Sequence, residues 1–149
     1  MASWSEPPRL QIVALAREWI GTPYHHQASC RGAGADCLGL VRGVWRELYG
    51  SEAEAPSAYS RDWAETRGEE TLLEGAGRHL RPVPIASADA GDVIVFRLRA
   101  GVVAKHAAVL TGPRSFVHAM EGGPAAEVAL TSWWQRRIAG AFSFPGKSS

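Results

Sequence analysis

The chain predicts an α+β fold in which N-terminal helices pack on a C-terminal antiparallel sheet. Three observations lead there. Residues 10–80 carry apolar side chains at helical spacing, the pattern changes at Asp92 to short apolar runs, and turns bearing Gly or Pro divide those runs. The first helix spans Leu10 to Ile20, with Ile12, Leu15, Ala16 and Trp19 on one face and Gly21-Thr22-Pro23 ending it. Residues 24–35 read as a polar, glycine-bearing loop. A second helix opens at Asp36, a good N-cap type, and runs to Tyr49 with Gly50 beyond it. Its stripe of Cys37, Val41, Val44 and Leu48 is widened by Leu40 and Trp45, which predicts burial. Gly39 and Gly43 would admit another backbone, at about 1 kcal/mol each in helix propensity. A loop follows over 51–60. Residues 61–80 then read as a more exposed helical segment, broken or bent at Gly68 and Gly75-Ala76-Gly77 and closed by Arg81-Pro82-Val83-Pro84. Strands are expected over 92–98, 102–110, 115–120, 126–130 and 138–144, with a short helical turn at Trp133–Arg137.

Composition narrows the function. With 149 residues the expectation is one domain over 1–149 with short tails, and 46% apolar residues suit a soluble globular protein. No run approaches the roughly 18 apolar residues of a membrane span, so membrane insertion is not expected. A net charge of +1 argues against a nucleic-acid partner. Two cysteines, Cys30 and Cys37, are too few for a disulfide scaffold and wrongly spaced for structural zinc, so no metal and no cofactor is expected. The first eight residues have neither a cationic start nor an apolar segment and do not read as a signal peptide. The expectation is synthesis in the cytoplasm, with something else delivering any activity outside the cell.

Chemistry concentrates in Gly34-Ala35-Asp36-Cys37-Leu38-Gly39-Leu40-Val41. A cysteine in the first helical turn meets unpaired N–H groups and the positive end of the helix dipole, both of which favour thiolate. Asp36 opposes that, so a cationic histidine would have to outweigh it. His106 and His118 each lie within a predicted strand, 12 residues apart across one turn. If Thr111-Gly112-Pro113 is a three-residue loop, Leu110 pairs with Arg114 and His106 falls opposite His118, with both rings on one face. A two- or four-residue loop would place them on opposite faces. On the face toward the second helix, Cys37 would attack a carbonyl, His106 would move the proton, and His118 would orient His106.

Four segments together resemble the NlpC-type cell-wall cysteine peptidases, which are papain-like. They are Asp36-Cys37-Leu38-Gly39-Leu40-Val41, Ala90-Gly91-Asp92-Val93-Ile94-Val95-Phe96, His106-Ala107-Ala108-Val109-Leu110-Thr111-Gly112 and Phe116-Val117-His118-Ala119, in the family's order. The resemblance implies a catalytic Cys37, His106 and His118, and a Tyr24 that lines the oxyanion region beside Asp36 and the Cys37 N–H. It further implies hydrolysis of stem peptides of bacterial peptidoglycan, typically between D-glutamate and a diamino acid. Leu38 departs from the serine that most members carry there. The bare domain, with Asp36 to Trp45 and Tyr59-Ser60-Arg61-Asp62-Trp63-Ala64-Glu65, looks like the version built into phage tails and gene transfer agents, which implies tail-tip or hub proteins as partners. Two alternatives stay open: a structural tail-tip module with the same fold and little activity, and a peptidoglycan amidase.

Other residues carry less. His25 and His26 read as a solvated loop pair, Cys30 as a free thiol, and Gln27 as a weak candidate oxyanion donor. Asp92 reads as a turn residue that starts its strand, and His79 as a cation near a helix end. Trp133 and Trp134 are expected to cover the edge of the core, one of them facing a partner.

Overall fold

The computed structural model describes residues 4–5, 7–51 and 71–148. Residues 52–60 of the loop expected over 51–60, the first half of the exposed helical segment with Gly68, and the Tyr59–Glu65 motif lie outside the described residues. Helix α1 (Arg9–Arg17) buries Ile12, Val13 and Ala16. Helix α2 (Cys37–Tyr49) starts at Asp36, whose side chain accepts from the Gly39 N–H, and ends at Gly50 with φ 82°. Both caps stand where the residue types placed them. Helix α3 (Thr71–His79) runs unbroken through Gly75-Ala76-Gly77, where a bend was expected. Packing of Leu72 and Leu73 on the core outweighs the weak propensity of two glycines.

The main sheet has six strands, β4 (Arg81–Val83), β5 (Val93–Phe96), β6 (His106–Gly112), β7 (Ser115–His118), β8 (Ala126–Ala129) and β9 (Ile138–Ser143). Their order is β4-β9-β5-β6-β7-β8, and every pairing is antiparallel. Val93, Val95, Ala107, Val109 and Val117 pack toward the helices with Ile12, Trp19, Leu40 and Val44. Ile94, Phe96, Ala108, Leu110 and Phe116 form a second apolar layer on the other face, with Trp134 and Ile138 against it. Apolar residues are needed on both faces, which is why these strands read as continuous apolar runs. Each fully buried Val, Ile, Leu or Phe contributes about 1.5–3 kcal/mol.

Several details depart from expectation. Strand β6 begins at His106, not 102, because Val102 turns back: its N–H bonds Arg99 O and its carbonyl takes the Arg97 guanidinium. Arg81–Val83 is an edge strand and not only a helix stop, and Pro82 is tolerated because β4 has one neighbour. Within the expected loop, β2 (Ser29–Cys30) and β3 (Gly34–Ala35) form a small hairpin. The ends of the chain pair as β1 (Trp4–Ser5) with β10 (Lys147–Ser148). Asp92 does precede its strand, but it is also buried, accepting from Arg9, Ser143 and the Asp89 N–H, and so ties α1 to the sheet.

Candidate active site

Cys37 is the first residue of α2, and three features fix that helix start. Asp36 is buried, with one carboxylate oxygen on the Gly39 N–H and the other on the Gln27 N–H, each at 2.7 Å. Both oxygens are thereby engaged in holding the helix start in place. Gly39 lies so close to the hairpin that a Cβ there would sit 1.8 Å from Ala28 O. Arg46 reaches back from the third turn to bond Ser29 at both its hydroxyl (2.8 Å) and its carbonyl (2.7 Å). The close approach at Gly43 differs in kind: its missing Cβ makes room for the Trp19 ring, not for backbone.

The Cys37 thiol is half-buried and donates to Lys105 O at 3.7 Å. Burial, and after it the charge of Asp36, push that thiol up from 9.0 to about 11, against the N–H groups of Ala107, Leu38 and Cys37 itself. The expected gain from the helix start is present but does not win. The sulfur thus meets the backbone on both sides of His106, at Lys105 just before β6 and at Ala107 within it.

His106 and His118 are hydrogen-bonded, Nε2 to Nδ1, at 2.8 Å. The register that brings them together differs from the expected one. Leu110 pairs with Phe116, not Arg114, and Gly112 pairs with Ser115, leaving a two-residue turn of Pro113 and Arg114. That turn alone would have sent the rings to opposite faces. The register shift between Leu110 and Gly112 inserts Thr111 as an extra residue and restores the parity. Its hydroxyl bridges to Ser115 Oγ at 2.7 Å. The histidines are consequently diagonal neighbours on one face.

The face is also a correction. Phe96 pairs with His106 and belongs to the layer away from the helices, and the histidine rings contact Phe96, Phe116 and Trp134 of that layer. The pairing of β6 with β7 ends at Val109 and Val117, so the histidines stand just beyond the last residues those two strands pair, although His106 still pairs with Phe96 and His118 with Ala126. This is the end of the sheet where α2 begins. Burial first, and then the neighbouring His118, pull His106 down from 6.5 to about 3, and burial also lowers His118. The resting pair is therefore neutral thiol and neutral imidazole.

Tyr24 bridges to Ala35 beside this helix start and is half-buried. Gln27 has φ 67°, a left-handed backbone held by its N–H bond to Asp36. His25 lies over Gly34, and His26 Nδ1 is 4.0 Å from Asp36 Oδ2. Cys30 is an exposed free thiol on the hairpin. Among the described residues no group of His, Cys, Asp and Glu is arranged to hold a metal. Two contributions were not assigned from sequence: the Arg46–Ser29 clamp, and the contact of Trp134 with the histidine pair, which it makes in addition to covering the core layer as expected. The available signal for Trp134 was Trp133-Trp134 itself. On a helical turn adjacent residues diverge by about 100°, so one of them faces inward.

The chain matches the NlpC/P60 family over residues 21–143. Among solved structures, the NlpC/p60 domain of the peptidoglycan hydrolase SagA has a TM-score of 0.67 at 22% identity, covering 93% of this chain and 100% of that one. An NlpC/P60 family protein from Bacillus cereus has a TM-score of 0.66 at 18% identity, over 92% of this chain and 40% of that one. The peptidoglycan hydrolase RipB of Mycobacterium tuberculosis has a TM-score of 0.55 at 19% identity, over 93% of this chain and 64% of that one. No curated protein matches the sequence. At these identities the likeness establishes the fold, papain-like α+β.

Proposed function

The chain belongs to the NlpC/P60 family, and from that premise we propose that it is a cysteine peptidase hydrolysing peptidoglycan stem peptides, at the bond between D-glutamate and a diamino acid. One observation carries the reading: a helix-start thiol lies against the backbone on both sides of a histidine whose far nitrogen a second histidine holds at 2.8 Å. Cys37 Sγ attacks the scissile carbonyl carbon. With His106 Nε2 engaged by His118, the thiol proton passes to His106 Nδ1, which requires the Nε2–H tautomer of His106 and an unprotonated Nδ1 on His118. The N–H of Cys37 and the Tyr24 hydroxyl stabilise the oxyanion. His106 then protonates the departing amine, and a water activated by the same ring hydrolyses the thioester. Asp36 contributes by fixing the Cys37 N–H. Leu38 packs on the core where most members have serine, so any substrate contact that a hydroxyl makes at that position is missing or replaced here.

Digestion of purified muropeptides by wild-type protein and Cys37→Ala, read by mass spectrometry, tests this. The expected product is cut at the D-glutamate bond and absent with the variant. A cut between sugar and L-alanine would make the chain an amidase, and no Cys37-dependent product would make it a structural module. For delivery, the proposal is a phage-like tail or gene transfer agent particle loaded in the cytoplasm, supported by the resemblance of Asp36 to Trp45. Purified particles that lack the chain by mass spectrometry would overturn that part alone.

A further inference from the structure

We propose that Trp134 is a positioning residue for the histidine pair: its indole covers the hydrogen bond between His106 and His118 and holds both rings in their working orientation. The inference rests on the peptidase reading above. The Trp134 ring lies 5.8 Å from that of His106 and 5.5 Å from that of His118, almost perpendicular to the latter. It also meets Phe96 at 4.8 Å and Phe116 at 5.2 Å. Those two phenyl rings are fully buried; Phe96 stacks on His106 at 5.9 Å and Phe116 stands edge-on to His118 at 5.0 Å. Of the three enclosing rings only Trp134 is partly exposed, so it is the wall between the pair and solvent.

Topology puts it there. Strand β8 is at one edge of the sheet and β9 lies beyond β5, so the connection between them crosses β7, β6 and β5. The four-residue helix α4 (Ser132–Gln135) sits in that crossing. Its outer side is anchored by Arg137, which lies 3.7 Å over the Trp133 ring and donates to the carbonyls of Trp133 and Leu98. The cover is thus held by contacts that do not involve the histidines.

A hydrogen bond between two neutral imidazoles competes poorly with water, and protonation of His118 Nδ1 abolishes its acceptor. Excluding water opposes both. Among the described residues, the other ring is the one charge that acts on His106; around the pair stand, from α2, Cys37 with Asp36 behind it, Lys105 just before β6, and Arg137 over Trp133 on the outer side of α4. From β5, β7 and α4 the neighbours are Phe96, Phe116 and Trp134. Burial is the first cause of the lowered proton affinity of both rings.

Two readouts on Trp134→Ala and Trp134→Phe test this: NMR titration and tautomer of the imidazole rings, and kcat and KM for a stem peptide across pH. In Trp134→Ala the His118 titration should move up by about one pH unit or more. At neutral pH its kcat should fall roughly 10-fold with KM within about twofold, and the acid limb should rise with the titration. Trp134→Phe should restore most of each. A folded Trp134→Ala with wild-type titration and acid limb would overturn the proposal, as would equal loss in both variants with the titration unmoved. If Trp134→Ala does not fold, Trp134→Leu keeps more of the apolar volume and carries the same two readouts. Absence of hydrolysis by the wild type would remove the peptidase reading, while the NMR titration would still decide whether Trp134 shields the pair.

Discussion

At the residue scale, Cys37 and His106 are held away from the charged pair that a preformed thiolate would need. The thiol rises to about 11 and the imidazole falls to about 3, so proton transfer must accompany attack on the substrate. Burial is the first cause of both, because each charged form would lose its hydration. Two measurements follow. In kcat/KM, which reports the free enzyme, the acid limb should lie below pH 5, well under the ordinary histidine value of 6.5. A half-maximum near pH 6.5 would contradict a dry histidine pair. Alkylation of Cys37 by iodoacetamide should be slow at neutral pH and still rising beyond pH 9, since the free value is 9.0 and the held value about 11. A rate that has levelled off by pH 8 would mean a preformed thiolate.

At the scale of elements, the start of α2 depends on a backbone approach that only glycine allows. A Cβ on Gly39 would sit 1.8 Å from Ala28 O, and Asp36 and Arg46 hold both sides of that contact. Gly39→Ala should therefore cost about 3 kcal/mol, and activity with it, since the hairpin and the thiol would separate. Gly77→Ala in α3 makes the opposite case, as nothing lies within 4 Å of the added Cβ and its φ is not left-handed. It should gain about 0.5–1 kcal/mol. Urea midpoints of the two variants decide, and a Gly39→Ala protein as stable as wild type would remove the argument. Such local features were legible in sequence: the Asp36 cap, the Gly50 stop, the strand cores, and a helix-start cysteine with two strand histidines all announce themselves over a few positions. The face of the histidines was not, because it depends on parity. One extra residue at Thr111 reverses the facing that the turn length alone would dictate, and nothing local in Leu110-Thr111-Gly112 marks a bulge. The role of Trp134 was hidden for a related reason, since it follows from a crossing over three strands.

For the whole molecule, a sheet buried on both faces with a neutral histidine pair in one layer makes stability depend on pH at both ends. Unfolded histidine takes a proton near 6.5, whereas folded His106 does so only at about 3, and folded His118 also lies below its ordinary value. Below pH 6.5 the unfolded chain therefore binds more protons than the folded one, and stability falls with pH. Well below that value each histidine still resisting protonation removes about 1.4 kcal/mol per pH unit. Cys37 acts in the other direction. Its folded value of about 11 exceeds 9.0, so above pH 9 the unfolded chain releases a proton that the folded chain keeps, and stability falls as pH rises. The plateau should span about pH 6.5 to 9. Ordinary carboxylates take up protons mainly below about pH 4.5, so the window from 6.5 to 5 belongs to histidine. Urea unfolding at half-unit steps should show the decline there, and His106→Gln should make it shallower. A wild-type midpoint that is level from pH 7 to 5 would mean that the pair is already charged in the folded protein, and the dry, neutral relay would have to be abandoned.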